Sequence, residues 1–206
     1  QSLGVYPNDA DQAFDPDASV TRGELVRHLL EISAIAGSPS ETYAFADIQD
    51  HPDAAYIQRA AELGIVQGTG EGRFAPDRPA SRQEAAVMVW NAWRLMYPDT
   101  LFASVALTGE TAEWAVPAVK MAVALGLHGP EVLHHEDGTA DFRSAERLTR
   151  QEEAALLHQL LIQPVNLIVS QLAAQQSPPQ EQAPQDAADP GSQSDEPEAA
   201  EEAVQG

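Results

Sequence analysis

The stretch Phe74-Ala-Pro-Asp-Arg-Pro-Ala-Ser81-Arg82-Gln-Glu84 decides how this chain folds, because it occurs three times. Its counterparts are Phe14-Asp-Pro-Asp-Ala-Ser-Val-Thr21-Arg22-Gly-Glu24 and Phe142-Arg-Ser-Ala-Glu-Arg-Leu-Thr149-Arg150-Gln-Glu152. The Thr/Ser positions are 60 and 68 residues apart. A Thr or Ser with Glu three residues later is a capping box, in which each side chain satisfies the other residue's orphan backbone N–H. A helix is therefore predicted to start at Thr21, Ser81 and Thr149. Five, eight and eleven residues after these caps stand Val26, Leu29, Ile32; Ala86, Val89, Ala92; and Ala154, Leu157, Leu160. That spacing keeps one apolar face on each helix, the face expected in a core.

Upstream of each Phe lies a Leu-Gly-aliphatic triplet: Leu3-Gly4-Val5, Leu63-Gly64-Ile65 and Leu125-Gly126-Leu127. Leu-Gly is the order expected at a helix C-cap. It predicts a shorter first helix at about 52–63 in repeat 2 and 112–125 in repeat 3. Glycines punctuate the loop Gly68-Thr-Gly70-Glu-Gly72, and the loop His128-Gly-Pro to Asp141 is six residues longer. Phe45-Ala-Asp-Ile48 matches Phe102-Ala-Ser-Val105, and repeat 1 has no room for this element. The division is repeat 1 at 1–40, truncated, repeat 2 at 41–98 and repeat 3 at 99–164. Pro164 is expected to stop the third capped helix. The apolar segment beyond it, within 165–176, is then a closing helix folded back beside repeat 1. The predicted fold class is all-α: three helix-loop-helix repeats in a pseudo-threefold arrangement.

Charge is distributed unevenly. The 206 residues carry 32 Asp and Glu against 11 Lys and Arg, a formal charge of −21. Residues 177–206 hold eight acids, five Pro and no Lys or Arg. Such a segment cannot bury enough apolar surface to offset its ordering entropy, so a disordered acidic tail or linker is expected. The strong negative charge argues against nucleic acid, whose binding rests on clustered Lys and Arg. No long apolar run predicts a membrane span. With no Cys, disulfides and thiolate chemistry are excluded. The chain opens without Met or a signal peptide, as a processed or excised chain does.

Taken together, Phe45-Ala-Asp47, Glu62-Leu-Gly-Ile65, Gly72-Arg-Phe74-Ala-Pro76 and Ser81-Arg-Gln-Glu84 resemble the S-layer homology family over roughly residues 3–163. The resemblance implies three repeats about a pseudo-threefold axis. It also implies noncovalent anchoring of a surface protein to the bacterial cell wall. The ligand it implies is an anionic, often pyruvylated, secondary wall polymer or peptidoglycan-linked polysaccharide, held in grooves between repeats. The location implied is extracellular, at the cell wall or surface layer. The sequence departs from the family at Pro52, where an aromatic is usual, while Trp114 keeps it in repeat 3.

The capping boxes explain Thr21, Glu24, Ser81, Glu84, Thr149 and Glu152 without any ligand. They do not explain Arg22, Arg82 and Arg150, cations at the first helical position, where the dipole disfavours them by ~0.3–1 kcal/mol if exposed. Two explanations stand. Each Arg is a fork for an anionic ligand, assisted by backbone N–H groups, or each pairs with a neighbouring repeat's carboxylate. Gly64, Gly68, Gly126 and Gly129 either admit a sugar close to the backbone or serve turns and helix ends. Trp114 either stacks on a sugar or packs, and Trp90 and Trp93 are expected to pack. The grooves using repeats 2 and 3 rank as the stronger, with Arg22 expected to matter least.

No phosphate loop, nucleophile elbow or His-Glu-x-x-His motif is present. His134-His135-Glu136-Asp137 lacks a partner pair for a metal. The expected activity is binding, with no cofactor and no catalysis. The alternatives are a self-association unit of a surface array, with the arginines in inter-subunit ion pairs, and the anchoring part of a secreted hydrolase.

Overall fold

A computed structural model describes residues 14–33, 35, 42–101 and 103–176. The Leu3-Gly4-Val5 triplet, Phe102 and the acidic tail lie outside the described residues. The three predicted capped helices are α1 (Arg22–Ser33), α3 (Arg82–Met96) and α5 (Arg150–Gln176), and the two shorter ones are α2 (Ala54–Glu62) and α4 (Val116–Ala124). Each capping box forms. The Thr21 N–H donates to Glu24 Oε2 at 2.9 Å, the Ser81 N–H to Glu84 Oε2 at 3.0 Å, and the Thr149 N–H to Glu152 Oε2 at 2.9 Å. In return the Glu24, Glu84 and Glu152 N–H groups donate to the Thr or Ser hydroxyl.

The Leu-Gly endings are Schellman motifs. Gly64, at φ +71°, donates to Ala61 O, and Ile65 donates to Ala60 O at 2.8 Å. Gly126, at φ +64°, and Leu127 repeat this pairing with Val123 O and Ala122 O. The Phe-x-Asp and Phe-x-Pro elements meet at one carboxylate. Asp47 Oδ1 and Oδ2 accept the Phe74 and Ala75 N–H groups, both at 2.8 Å, and the Phe45 and Phe74 rings lie 5.5 Å apart. Burial acts to raise the Asp47 pKa, but those backbone donors outweigh it and leave the carboxyl below its usual range.

The all-α expectation is wrong. Three strands, β1 (Ala106–Thr108), β2 (Leu133–His134) and β3 (Thr139–Asp141), form a sheet in the order β1-β3-β2. β1 runs parallel to β3, with Leu107 opposite Ala140, and β2 runs antiparallel to it. The extra residues of the repeat 3 loop supply the β2–β3 hairpin. Its turn closes at Asp137-Gly138, where Gly138 has φ +80° and Asp137 accepts from the Thr139 N–H. Asp-Gly between two short runs is a hairpin signal. The strands are only two or three residues long, too short for alternation to show.

A second β element lies at the centre. The residues before the three caps are extended and bridge each other: Ser19 with Thr149, Thr21 with Pro79, and Ser81 with Arg147. The Val20 N–H donates to Leu148 O, the Leu148 N–H to Ala80 O, and the Ala80 N–H to Val20 O, at 2.8–2.9 Å. This closed ring is the pseudo-threefold axis in hydrogen bonds. Val20, Ala80 and Leu148 are buried in it. Around it pack Leu25, Leu29, Ile57, Phe74, Val89, Trp93, Met121 and Leu157. Repeat 1 is tied to repeat 3 by a buried 2.9 Å contact between His28 on α1 and Glu153 on α5.

The expected stop at Pro164 does not occur. α5 runs through it to Gln176, so the segment beyond Pro164 continues that helix and does not turn back as a separate one. A proline removes one intrahelical donor without forbidding the turns that follow.

Candidate functional site

Each Arg behind a cap sits where the ring brings one repeat's helix start against the next repeat. Arg22 is buried, its side chain 4% exposed. Its Nε donates to Phe74 O at 2.9 Å, Nη1 to Glu84 Oε1 at 2.8 Å and Nη2 to Gln67 O at 3.0 Å. Its guanidinium carbon lies 4.4 Å from the centre of the Phe74 ring. Arg82 repeats the arrangement one repeat on. Nε and Nη2 donate to the two Glu152 oxygens, and Nη1 donates to Glu146 Oε2 at 3.0 Å. On α5, the Arg150 backbone N–H donates to Ala18 O, as Arg22 does to Arg78 O and Arg82 to Glu146 O. The dipole puzzle is thereby answered for Arg22 and Arg82: each faces the capping-box carboxylate of the following repeat. These glutamates act twice, closing their own helix and neutralising a neighbour's arginine.

The electrostatics follow from that sharing. Burial lowers the Arg22 pKa, and the charge of Glu84 only partly opposes it. For Arg82 burial acts in the same direction, but the Glu152 hydrogen bond and the charges of Glu152, Glu146 and Glu131 outweigh it and raise the value. Burial pushes the Glu84 and Glu152 carboxyls up. The hydrogen bonds from Arg78 and Ser81 to the first, and from Arg82 and Thr149 to the second, win and hold both below the usual value.

Beside Arg22 opens a groove of about 710 Å³, walled by the repeat 2 loop Ile65–Thr69, by α3 and by the start of α4. Of the residues singled out from sequence, Arg22, Gly68, Glu84 and Trp114 line it. Trp114 is 59% exposed at its mouth. A Cβ on Gly68 would lie 2.6 Å from Arg73 O and 2.9 Å from Phe45, so the bare backbone there is a packing requirement. Gly64 and Gly126 serve helix ends and are not among the lining residues. Arg22 lines the groove formed by the repeat 2 loop and Trp114.

Sequence reading missed four lining residues: Arg78, Trp90, Asn91 and Arg94. Arg94 lies over the Trp90 ring, 5.6 Å from its centre, and Arg78 is 45% exposed while bonding Glu84. Trp90 lines the groove and is only half-buried, whereas Trp93 is fully buried and donates to Thr100. A signal for these residues existed, since Trp90 and Arg94 are four apart on one helix face.

Residues 44–86 match the S-layer homology domain family. The match covers the greater part of repeat 2. Two curated proteins are similar to it. One is a 125 kDa surface-layer protein of Lysinibacillus sphaericus, 28% identical over 74% of this chain and 13% of its own length. The other is an uncharacterized cell wall amidase of Bacillus anthracis, 25% identical over 41% of this chain and 16% of its own length. The chain therefore spans only a small part of each relative. Both similarities place the protein at the cell surface or cell wall. None of the described helices is long and apolar enough to cross a membrane.

Proposed function

We propose that this module anchors a surface protein to the bacterial cell wall by binding a pyruvylated secondary wall polymer in the Arg22–Trp114 groove. The observation that carries the reading is the convergence there of three arginines and two partly exposed indoles on one side of the molecule. A carboxylate on a sugar needs planar donors, and a sugar ring needs an apolar face. Arg78 and Arg94 reach the groove from exposed or aromatic-backed positions. Arg22 has committed three of its five N–H donors to protein partners and its charge to Glu84, which leaves two donors behind the ligand. Trp114 offers its face to a sugar. The net charge of the chain does not forbid an anionic ligand, because the Debye length is ~8 Å at physiological salt.

The reading in which these arginines hold neighbouring subunits together is disfavoured for Arg22 and Arg82, whose carboxylate partners lie in the same chain. Cosedimentation with purified sacculi tests the proposal. Binding should be strong with native sacculi and should fall at least tenfold after removal of the pyruvyl groups. Arg78→Ala with Arg94→Ala should have a comparable effect, since charge-assisted bonds contribute ~1.5–3 kcal/mol each. Equal binding to stripped sacculi would eliminate the carboxylate and leave neutral sugar contacts.

A further inference from the structure

The repeat geometry builds a second site of the same plan around Arg82, but with different side chains. Counting five residues past the helix-ending glycine, Thr69 of the first groove corresponds to Glu131. Counting three residues back from the cap, Arg78 corresponds to Glu146, and Glu84 corresponds to Glu152. At these positions the Arg22 groove holds two arginines and one carboxylate. The equivalent positions around Arg82 hold one arginine and three carboxylates. Glu152 and Glu146 already take donors from all three Arg82 nitrogens. Glu131 is folded onto its own loop: Oε1 accepts the Gly129 N–H at 3.0 Å, and Oε2 is buried with no hydrogen-bond partner among the described residues. A Cβ on Gly129 would run into Glu131 Oε2, so any other residue there would push that carboxylate aside. The charge of Glu131 also acts on Arg82, helping to raise its pKa.

We infer that the Glu131 carboxylate stands in for the ligand's anion in the Arg82 groove and, with Glu146, closes that groove to the wall polymer. This rests on the polymer reading above and adds to it which grooves are open. An incoming carboxylate would meet a net charge of the wrong sign at close range, where salt screens little. The Gly129 N–H, a backbone donor at this place, is already taken by Glu131.

The test is calorimetric titration of the full chain with a monosaccharide carrying a pyruvyl ketal, reading moles of sugar bound per mole of chain. The variant E131T/E146R restores the side-chain types of the Arg22 groove. It should bind one more sugar than the unaltered chain, with an unchanged far-UV spectrum. E131Q alone removes one charge and keeps the shape. It should add a weaker second phase, which covers the case where the double variant folds poorly. An unaltered stoichiometry in both variants, while the parent chain binds, overturns the inference. So does loss of sugar on E131Q, which would make Glu131 a ligand contact. If neither parent nor variants bind the sugar, the polymer reading itself falls.

Discussion

Arg22 shows what one residue does in this fold. It ties together Phe74, Gln67 and Glu84, residues of the following repeat, and is almost fully buried. Removing it strands the buried Phe74 and Gln67 carbonyls and leaves Glu84 with Arg78 alone, at a cost of about 1–3 kcal/mol for each buried acceptor left unsatisfied. Arg22→Ala should therefore lower the melting temperature sharply as well as weaken wall binding. Arg94→Ala touches no such pair and should change stability by less than about 0.5 kcal/mol while weakening binding. Thermal melts and sacculus binding on the two variants separate these effects. The paired glutamates set an acid limit. Their carboxyls are depressed in the folded state below the ordinary value of 4.5. The stability they add is present above that value and is lost as the pH falls through the depressed values. Urea midpoints should fall on acidification below about pH 4, and E84Q with E152Q should flatten that slope while lowering stability at neutral pH. The three arginines were conspicuous in the sequence because they offend the helix dipole. Their partners were not legible, because Glu84 lies 62 residues from Arg22 and each glutamate already had a local task in its capping box.

At the scale of the element, helix starts and ends were readable because they are local. Ser81 and Glu84, or Leu63 and Gly64, carry their geometry within four residues. Gly64 and Gly126 hold φ +71° and +64°. Alanine at either should cost about 1–2 kcal/mol from the left-handed backbone alone, with little effect on sugar binding, because neither lines the groove. Chemical denaturation of Gly64→Ala and Gly126→Ala checks this. A loss of binding without a loss of stability would return these glycines to the ligand site. The strands were illegible for the opposite reason. Leu133–His134 is two residues long, and the extended triplets before the caps have no alternation to read. Their identity comes from partners in other repeats. The extra length of the repeat 3 loop is visible in the sequence, and Asp137-Gly138 is the one local signal of its hairpin.

Across the whole molecule, the three repeats share one core and one ring of hydrogen bonds. No repeat has its own complement: Val20 needs Leu148, Leu148 needs Ala80 and Ala80 needs Val20. The chain should unfold in a single cooperative transition. Far-UV signal and tryptophan fluorescence should give the same denaturant midpoint. A truncation after Pro130, which removes Leu148 and α5, should expose amides in α1 and α3 to rapid hydrogen exchange. Protection of α1 in that truncation would show that the repeats fold separately. Threefold symmetry was legible from spacing alone, since 60 and 68 residues separate equivalent caps. That the axis is made of backbone and not only of helix faces was not.

The ring has a consequence for life on a crowded cell surface. An extended segment with an unpaired side offers its N–H and C=O groups to any neighbouring chain, the usual template for unwanted strand addition. Here the residues before each cap give a donor to one neighbour and take a donor from the other, so none of the three is an edge. A linear stack of the same three segments would leave two outer members exposed. Closing them into a circle removes both, and it lets many copies stand side by side without their centres becoming sites of entanglement.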